Sequence, residues 1–168
     1  MDAETSAKHK FLEGSDMTFQ EVFDFAFEKL IPVLQGLANE LGEDQFLKAL
    51  KKVASECALK AGQDRARQLP RNDLAAFTGS GSEPGHFAKH VLTREIVEDT
   101  AHAFELKVTE CLWAKTFREM GAADIGYVLL CHTDYADCQG FNSGITLTRS
   151  KTLMQGDDCC NHRFVWEG

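Results

Sequence analysis

Thr148-Arg149-Ser150-Lys151-Thr152-Leu153-Met154-Gln155-Gly156-Asp157-Asp158-Cys159-Cys160-Asn161-His162-Arg163-Phe164 is the stretch whose reading decides the fold. Leading into it, Ile145, Leu147 and Arg149 alternate with Thr146, Thr148 and Ser150, which is the period of a strand. At its far end Cys160, His162, Phe164 and Trp166 share one face of a second strand, and Cys159, Asn161, Arg163 and Val165 share the other. Gly156-Asp157-Asp158 supplies the turn between them, since Gly adopts backbone angles that other residues avoid and Asp bonds to its local backbone. The expectation is a terminal hairpin with a thiol and an imidazole on one face near its bend. Two adjacent cysteines, a histidine and an arginine so close together point to a reactive site. The competing explanation is an ordinary core edge, where a buried cysteine is a small hydrophobe.

Immediately upstream, Asp124 opens a helix carrying Ile125, Val128, Leu129, Cys131, His132, Asp134, Tyr135 and Cys138, with Gly140-Phe141-Asn142 at its end. Cys131, Asp134 and Cys138 stand at i, i+3 and i+7, on one face, whereas His132 points about 100° away. A carboxylate beside a thiol raises the thiol pKa unless a proton or cation is shared. The pair therefore suits either a divalent metal or a nucleophile with its base. Cys111 stands where a strand, Ala103 to Val108, gives way to a helix from Leu112 to Met120 that Gly121 stops. The free amides and dipole of a helix start favour thiolate there; the alternative is a small buried side chain.

The first half is helical. Phe19, Val22, Phe23, Ala26, Phe27, Leu30, Val33, Leu34, Leu37 and Leu41 follow helical spacing behind a cap at Asp16 or Thr18, with a kink at Pro32 and a stop at Gly42. The phenylalanines read as a core stripe. A second helix, Asp44 to Leu69, aligns Phe46, Leu47, Leu50, Val53, Ala54, Cys57, Ala58 and Ala61, which makes Cys57 structural. Residues 71–90 read as a long loop with a helical turn at Asp73 to Phe77, and His86 and His90 in and beside it read as solvated. Residues 1–16 read as a frayed lead-in. Leu92, Ile96 and Val97 belong to a further strand. The fold class is α+β in one domain over 1–168: a helical N-terminal half packed on a C-terminal antiparallel sheet with two further helices.

A chain of 168 residues with 43% apolar residues and a net charge of -8 suits a soluble domain and argues against a nucleic-acid partner, which needs clustered Lys and Arg. No apolar run approaches a membrane span, and the acidic, polar start lacks a signal-peptide pattern, so the expected address is cytoplasmic with no membrane partner. The pattern leaves room for a homo-oligomer. Six cysteines without a CxxC pair do not make a zinc ribbon.

Glu110-Cys111-Leu112-Trp113-Ala114, Gly126-Tyr127-Val128-Leu129-Leu130-Cys131-His132-Thr133-Asp134, Gly140-Phe141-Asn142, and Arg149 through Cys160 together resemble the L-2-amino-thiazoline-4-carboxylic acid hydrolase family. The resemblance covers roughly the last 65 residues in register, with the helical half compatible. The domain is more distantly similar to vinyl-4-reductase-type small-molecule-binding domains. The resemblance implies opening of a cyclic, amidine-like thiazoline by water to an S-carbamoyl amino acid. It places Cys111, Cys131, Asp134 and Cys160 in the polar core and leaves out Cys138 and Cys159. Where the family pattern has an aromatic, this chain has His162.

Two mechanisms fit the set. In one, Cys111 or Cys160 attacks the C=N carbon while Asp134, kept protonated by burial, donates to the ring nitrogen. In the other, Cys111, Cys131, Cys160 and Asp134 or His162 hold zinc or iron, and bound water attacks. Arg149, Lys151 and Arg163, with His162, are the candidates to bind a small substrate and its carboxylate. A metal or small-molecule sensor without catalysis is the rival reading, and an interaction domain with inert cysteines a third.

Overall fold

The computed structural model describes residues 16–79 and 86–168, so the expected lead-in lies outside the described residues up to Ser15. Thr18 opens α1 (Phe19–Phe27) through a capping box: its hydroxyl accepts from the Glu21 amide, and the Glu21 carboxylate accepts from the Thr18 N–H. The single kinked helix expected here is two helices. α2 (Leu30–Leu41) follows after a break at Glu28, four residues before Pro32, where a proline ring would strike the carbonyl of a continuous helix. Pro32 itself falls in the first turn of α2, where a missing N–H costs little. Gly42, at φ +83°, ends α2 and turns the chain into α3 (Glu43–Gln68). The phenylalanine stripe is core, as expected: Phe23 meets Trp113 edge-on at 5.2 Å and Phe27 meets Phe117 at 5.1 Å.

The buried side of α3 differs from the expected stripe. Val53, Cys57 and Ala61 are exposed, while Phe46, Leu50, Ala54, Ala58 and Gly62 turn inward, so Cys57 is not a core residue. A stripe drawn at seven-residue spacing drifts around a straight helix of 26 residues. A glycine contact then settles which side faces in. A β-carbon on Gly62 would run into the carbonyl of Asp137, and one on Gly140 into the carbonyl of Leu59. The two backbones approach only because both positions lack side chains.

The long loop expected over 71–90 contains two short helices. α4 (Leu74–Thr78) starts from Asp73, whose carboxylate accepts from the Ala76 amide at 2.9 Å. α5 (His86–Val91) leads directly into the sheet, and its Phe87 ring packs against Trp113 at 5.6 Å, a tertiary contact that no local pattern announces. Four antiparallel strands follow, β1 (Leu92–Asp99), β2 (Ala103–Cys111), β3 (Ile145–Thr148) and β4 (Cys160–Trp166), in the order β1-β2-β4-β3.

Between β2 and β3 run α6 (Leu112–Glu119), α7 (Ala123–Gly126), a π-turn (Tyr127–Cys131) and α8 (Thr133–Phe141). The amide of His132 reaches back five residues to Tyr127 O at 2.7 Å, which closes the wide turn. α8 ends within Gly140-Phe141-Asn142 as expected, at Phe141 with Asn142 as its cap, and Gly140 in its last turn allows close packing.

β3 and β4 pair as expected, Ile145 with Trp166 through Thr148 with Arg163. They are not joined by a tight turn at Gly156-Asp157-Asp158. Residues 149–159 form a broad excursion around a 3₁₀ turn (Leu153–Gln155), and Gly156, at φ +99°, ends that turn. The excursion satisfies its own backbone. Asp157 accepts from the Thr152 amide at 2.7 Å, and the Asn161 side chain accepts from the amides of Ser150 and Lys151.

Two apolar clusters form the core. One gathers Ile31, Phe46, Phe117, Ile125 and Met154 beneath the helices; the other gathers Leu74, Phe104, Cys138, Phe141, Ile145 and Leu147 against the sheet. Among the described residues, no helix is long and apolar enough to cross a membrane.

Candidate functional site

The seam between the two clusters is hollow. A cavity of about 380 Å³ opens there, bounded by the sheet on one side and by α6, the π-turn and α8 on the other. β4 contributes Cys160, His162 and Phe164 from one face, opposite Val108, Leu106 and Phe104 of β2. The expected sharing of that face by thiol, imidazole and aromatic ring is what the strand delivers. Cys111 ends β2 and caps α6, with its Sγ accepting from the Ala114 amide at 3.5 Å. Cys131 comes from the π-turn and Asp134 from the first turn of α8. Leu92, Trp113, Leu130 and Met154 complete an apolar wall. The structure therefore brings Cys111, Cys131, Asp134, Arg149, Cys160 and His162 together.

Arg149 is the hub, with only 1% of its side chain exposed. Its Nη1 donates to Asp134 Oδ2 at 2.7 Å and to His162 Nε2 at 2.8 Å, and its Nη2 donates to Cys131 O at 2.6 Å. The guanidinium also lies over the Tyr135 ring, 5.4 Å from its centre. Burial works against the arginine charge, but the Asp134 carboxylate and its hydrogen bond outweigh it and hold the pKa above the ordinary value. A guanidinium only donates, so His162 Nε2 is the acceptor and the imidazole proton is assigned to Nδ1. Nδ1 is buried and has no hydrogen-bond partner among the described residues. The Asp134 side chain is 41% exposed and accepts from Arg149, so the burial that its expected role as a neutral proton donor requires is not there.

The thiols behave differently from expectation as well. Burial pushes Cys111 up despite the amides of Ala114 and Trp113, so the helix start does not make it a thiolate. Burial likewise pushes Cys131 up to about 12, with Arg149 opposing and Asp134 adding to the rise. Cys160 is pushed up by burial against the Leu153 amide, which donates to its Sγ at 3.2 Å. All three rest as thiols.

Among the described residues, no three His, Cys, Asp or Glu side chains gather closely enough to hold a metal ion. Cys111, Cys131, Cys160 and Asp134 share a cavity without forming a ligand cluster, so the donor set does not fit zinc or iron. Lys151 and Arg163 also stand apart from the cavity. Lys151 is exposed and paired with Asp158 at 2.8 Å, while Arg163 lies on the opposite face of β4, paired with Glu98 and Glu105. Cys138 belongs to the sheet-side cluster, where its thiol donates to Ile145 O at 3.3 Å. His90 is exposed, as expected, and one face of its ring stacks on Phe19 at 4.7 Å.

Arg149, expected to bind substrate, instead organises the polar cluster. The available signal was its inward phase after Ile145 and Leu147. No local signal announced the π-turn.

Helices on one side of an antiparallel sheet, with a thiol-lined hollow at their seam, define an α+β domain with an internal cavity. The model of the L-2-amino-thiazoline-4-carboxylic acid hydrolase family matches residues 18–164, and the chain belongs to that family. No curated protein matches it. Among solved structures the chain is similar to a trafficking protein particle complex subunit 3 from Naegleria fowleri covalently bound to palmitic acid. That likeness, TM-score 0.51 at 10% identity over 86% of this chain and 97% of the other, is one of fold. It is also similar to the phenol-responsive sensory domain of the transcription activator PoxR with phenol, TM-score 0.47 at 12% identity over 82% and 72% of the two chains.

Proposed function

We propose that the cavity opens the ring C–N bond of a small carboxylate-bearing heterocycle of the 2-amino-thiazoline-4-carboxylate type. The observation that supports this most is the gathering of three protonated thiols around an Arg149–Asp134 pair in one cavity, in a chain of this family. Asp134 lies close enough for its charge to raise both Cys111 and Cys131, and it is the group that takes a proton.

In the reaction, Cys111 Sγ adds to the amidine carbon as its proton passes to Asp134. The ring C–N bond breaks, and its electron pair goes to nitrogen, which takes the proton back. Water then adds to the same carbon, Cys111 leaves with its proton restored, and the product is the S-carbamoyl amino acid. Arg149 holds Asp134 in place throughout, and the apolar wall keeps bulk water from the thioimidate.

The test is incubation of the protein with 2-amino-thiazoline-4-carboxylate, with S-carbamoyl-cysteine followed by mass spectrometry. Formation by the wild type and its loss in Cys111→Ser and Asp134→Asn are expected; a wild type without turnover overturns the reading. A second reading, a binding domain without catalysis, is favoured by the apolar wall and by thiols that rest protonated. Saturable binding with unchanged ligand would establish it.

A further inference from the structure

The substrate's carboxylate has lost the partners first expected for it. Arg149 gives its bonds to Asp134, His162 and Cys131 O, and Lys151 and Arg163 are paired outside the cavity. A second hollow, of about 700 Å³, adjoins the first, and Cys111 and Leu92 line both. Its described rim carries three full cations, Lys89, Lys115 and Arg118, against two carboxylates, Glu110 and Glu119, in a chain whose net charge is -8. Glu110 already accepts a hydrogen bond from Thr93.

Cys111 caps the start of α6, and Lys115 and Arg118, one and two turns further along that helix, line the same hollow with it. Among the described residues neither cation makes an ion pair. Lys115 Nζ donates to the amide oxygen of Gln20 at 2.8 Å, and Arg118 Nη1 donates to Leu153 O at 3.3 Å. Both partners are neutral and both side chains are exposed, so each charge faces solvent and is open to an anion. Lys115 lies in the first turn of α6, the end that Cys111 caps, and side chains on a helix lean toward its start. A compact molecule reaches from the one to the other.

We propose that this outer hollow is the anion subsite of the same binding site, with Lys115 and Arg118 holding the substrate's carboxylate while the ring lies against Cys111. The proposal rests on the functional reading above and supplies the specificity it lacks. A ligand without a carboxylate forfeits the two charge-assisted contacts, and so does one whose carboxylate is turned away from α6.

The experiment compares equilibrium binding of 2-aminothiazole-4-carboxylate, an aromatic analogue, with that of 2-aminothiazole, which lacks the carboxylate. Calorimetry is run on the full chain, on Lys115→Gln/Arg118→Gln and on Lys115→Arg. The wild type is expected to prefer the carboxylate by roughly tenfold or more, the double variant to lose that preference, and Lys115→Arg to keep it. Equal binding of the two probes by the wild type, failure to bind either, or a preference that survives in the double variant overturns the subsite. Preference lost in the double variant without thiazoline turnover by the wild type leaves the subsite standing and removes the hydrolase. Turnover with a preference that survives does the reverse.

Discussion

Arg149 Nη1 stands 2.8 Å from His162 Nε2, and because a guanidinium carries no acceptor this contact decides which imidazole nitrogen keeps the proton. Long-range ¹H–¹⁵N spectra of the folded protein are expected to show His162 as the Nδ1–H tautomer. In Arg149→Met the constraint goes, and the Nε2–H form is expected to become populated. A dominant Nε2–H signal in the wild type would contradict the arrangement.

The same arginine carries stability. Arg149→Met leaves Cys131 O and Asp134 without their donor, but Asp134 remains 41% exposed, so water takes over part of the loss. The expected cost is about 2–3 kcal/mol, at or just below the usual range for breaking a buried pair. Arg149→Lys is expected to recover only part of it, because one ammonium cannot span the three acceptors that the planar fork reaches. Urea unfolding midpoints with unchanged slopes would measure both.

Thiol labelling should separate surface from pocket. Cys57 is exposed and is expected to be alkylated first near neutral pH, with Cys111, Cys131 and Cys160 slow. Peptide mapping after a short iodoacetamide pulse tests this, and Cys57→Ser should remove the fast phase. A fast-reacting Cys111 would show that the resting thiol is less buried than the fold makes it.

Those raised thiols also set an alkaline limit. A thiol whose folded pKa exceeds its unfolded value holds its proton more tightly when folded, so its contribution is complete below the ordinary value of 9.0. That contribution is lost as pH climbs from 9.0 toward the value of about 12 reached by Cys131 and Cys138. Stability is expected to fall over that window, and Cys131→Ala should flatten the fall. Unfolding midpoints measured across the window provide the check.

Two glycines should respond in opposite directions to alanine. Gly140→Ala places a β-carbon against the Leu59 carbonyl and is expected to cost about 2–3 kcal/mol or more as α3 and α8 are forced apart. Gly36, inside α2, has open space around its added carbon, so Gly36→Ala is expected to add about 0.5–1 kcal/mol. Thermal midpoints of the two variants, which should move apart around the wild type, provide the measurement.

The helical half was legible wherever local chemistry was strong. The cap at Thr18, one of the two positions open for it, the stop at Gly42 and the Phe23–Phe27 stripe each act within a few residues and stand where the pattern allows them. The stripe on α3 was misjudged at Val53 and Cys57 because the deciding contact, Gly62 against Asp137, joins residues far apart in the chain. Gly156 had the right backbone geometry and the wrong role. A positive φ is equally at home in a hairpin bend and at the end of a 3₁₀ turn.

By itself the sequence determined the α+β layout, the strand phases that put Cys160 beside His162, and membership of the hydrolase family, because periodicity and motif order are properties of the chain. Only the tertiary structure decided the state of the site. It locked Arg149 between Asp134, His162 and Cys131, kept the thiols protonated, and left Lys151 and Arg163 outside the cavity. Charge state and hydrogen-bond partnership depend on burial and distance between residues remote in sequence, and folding alone sets those.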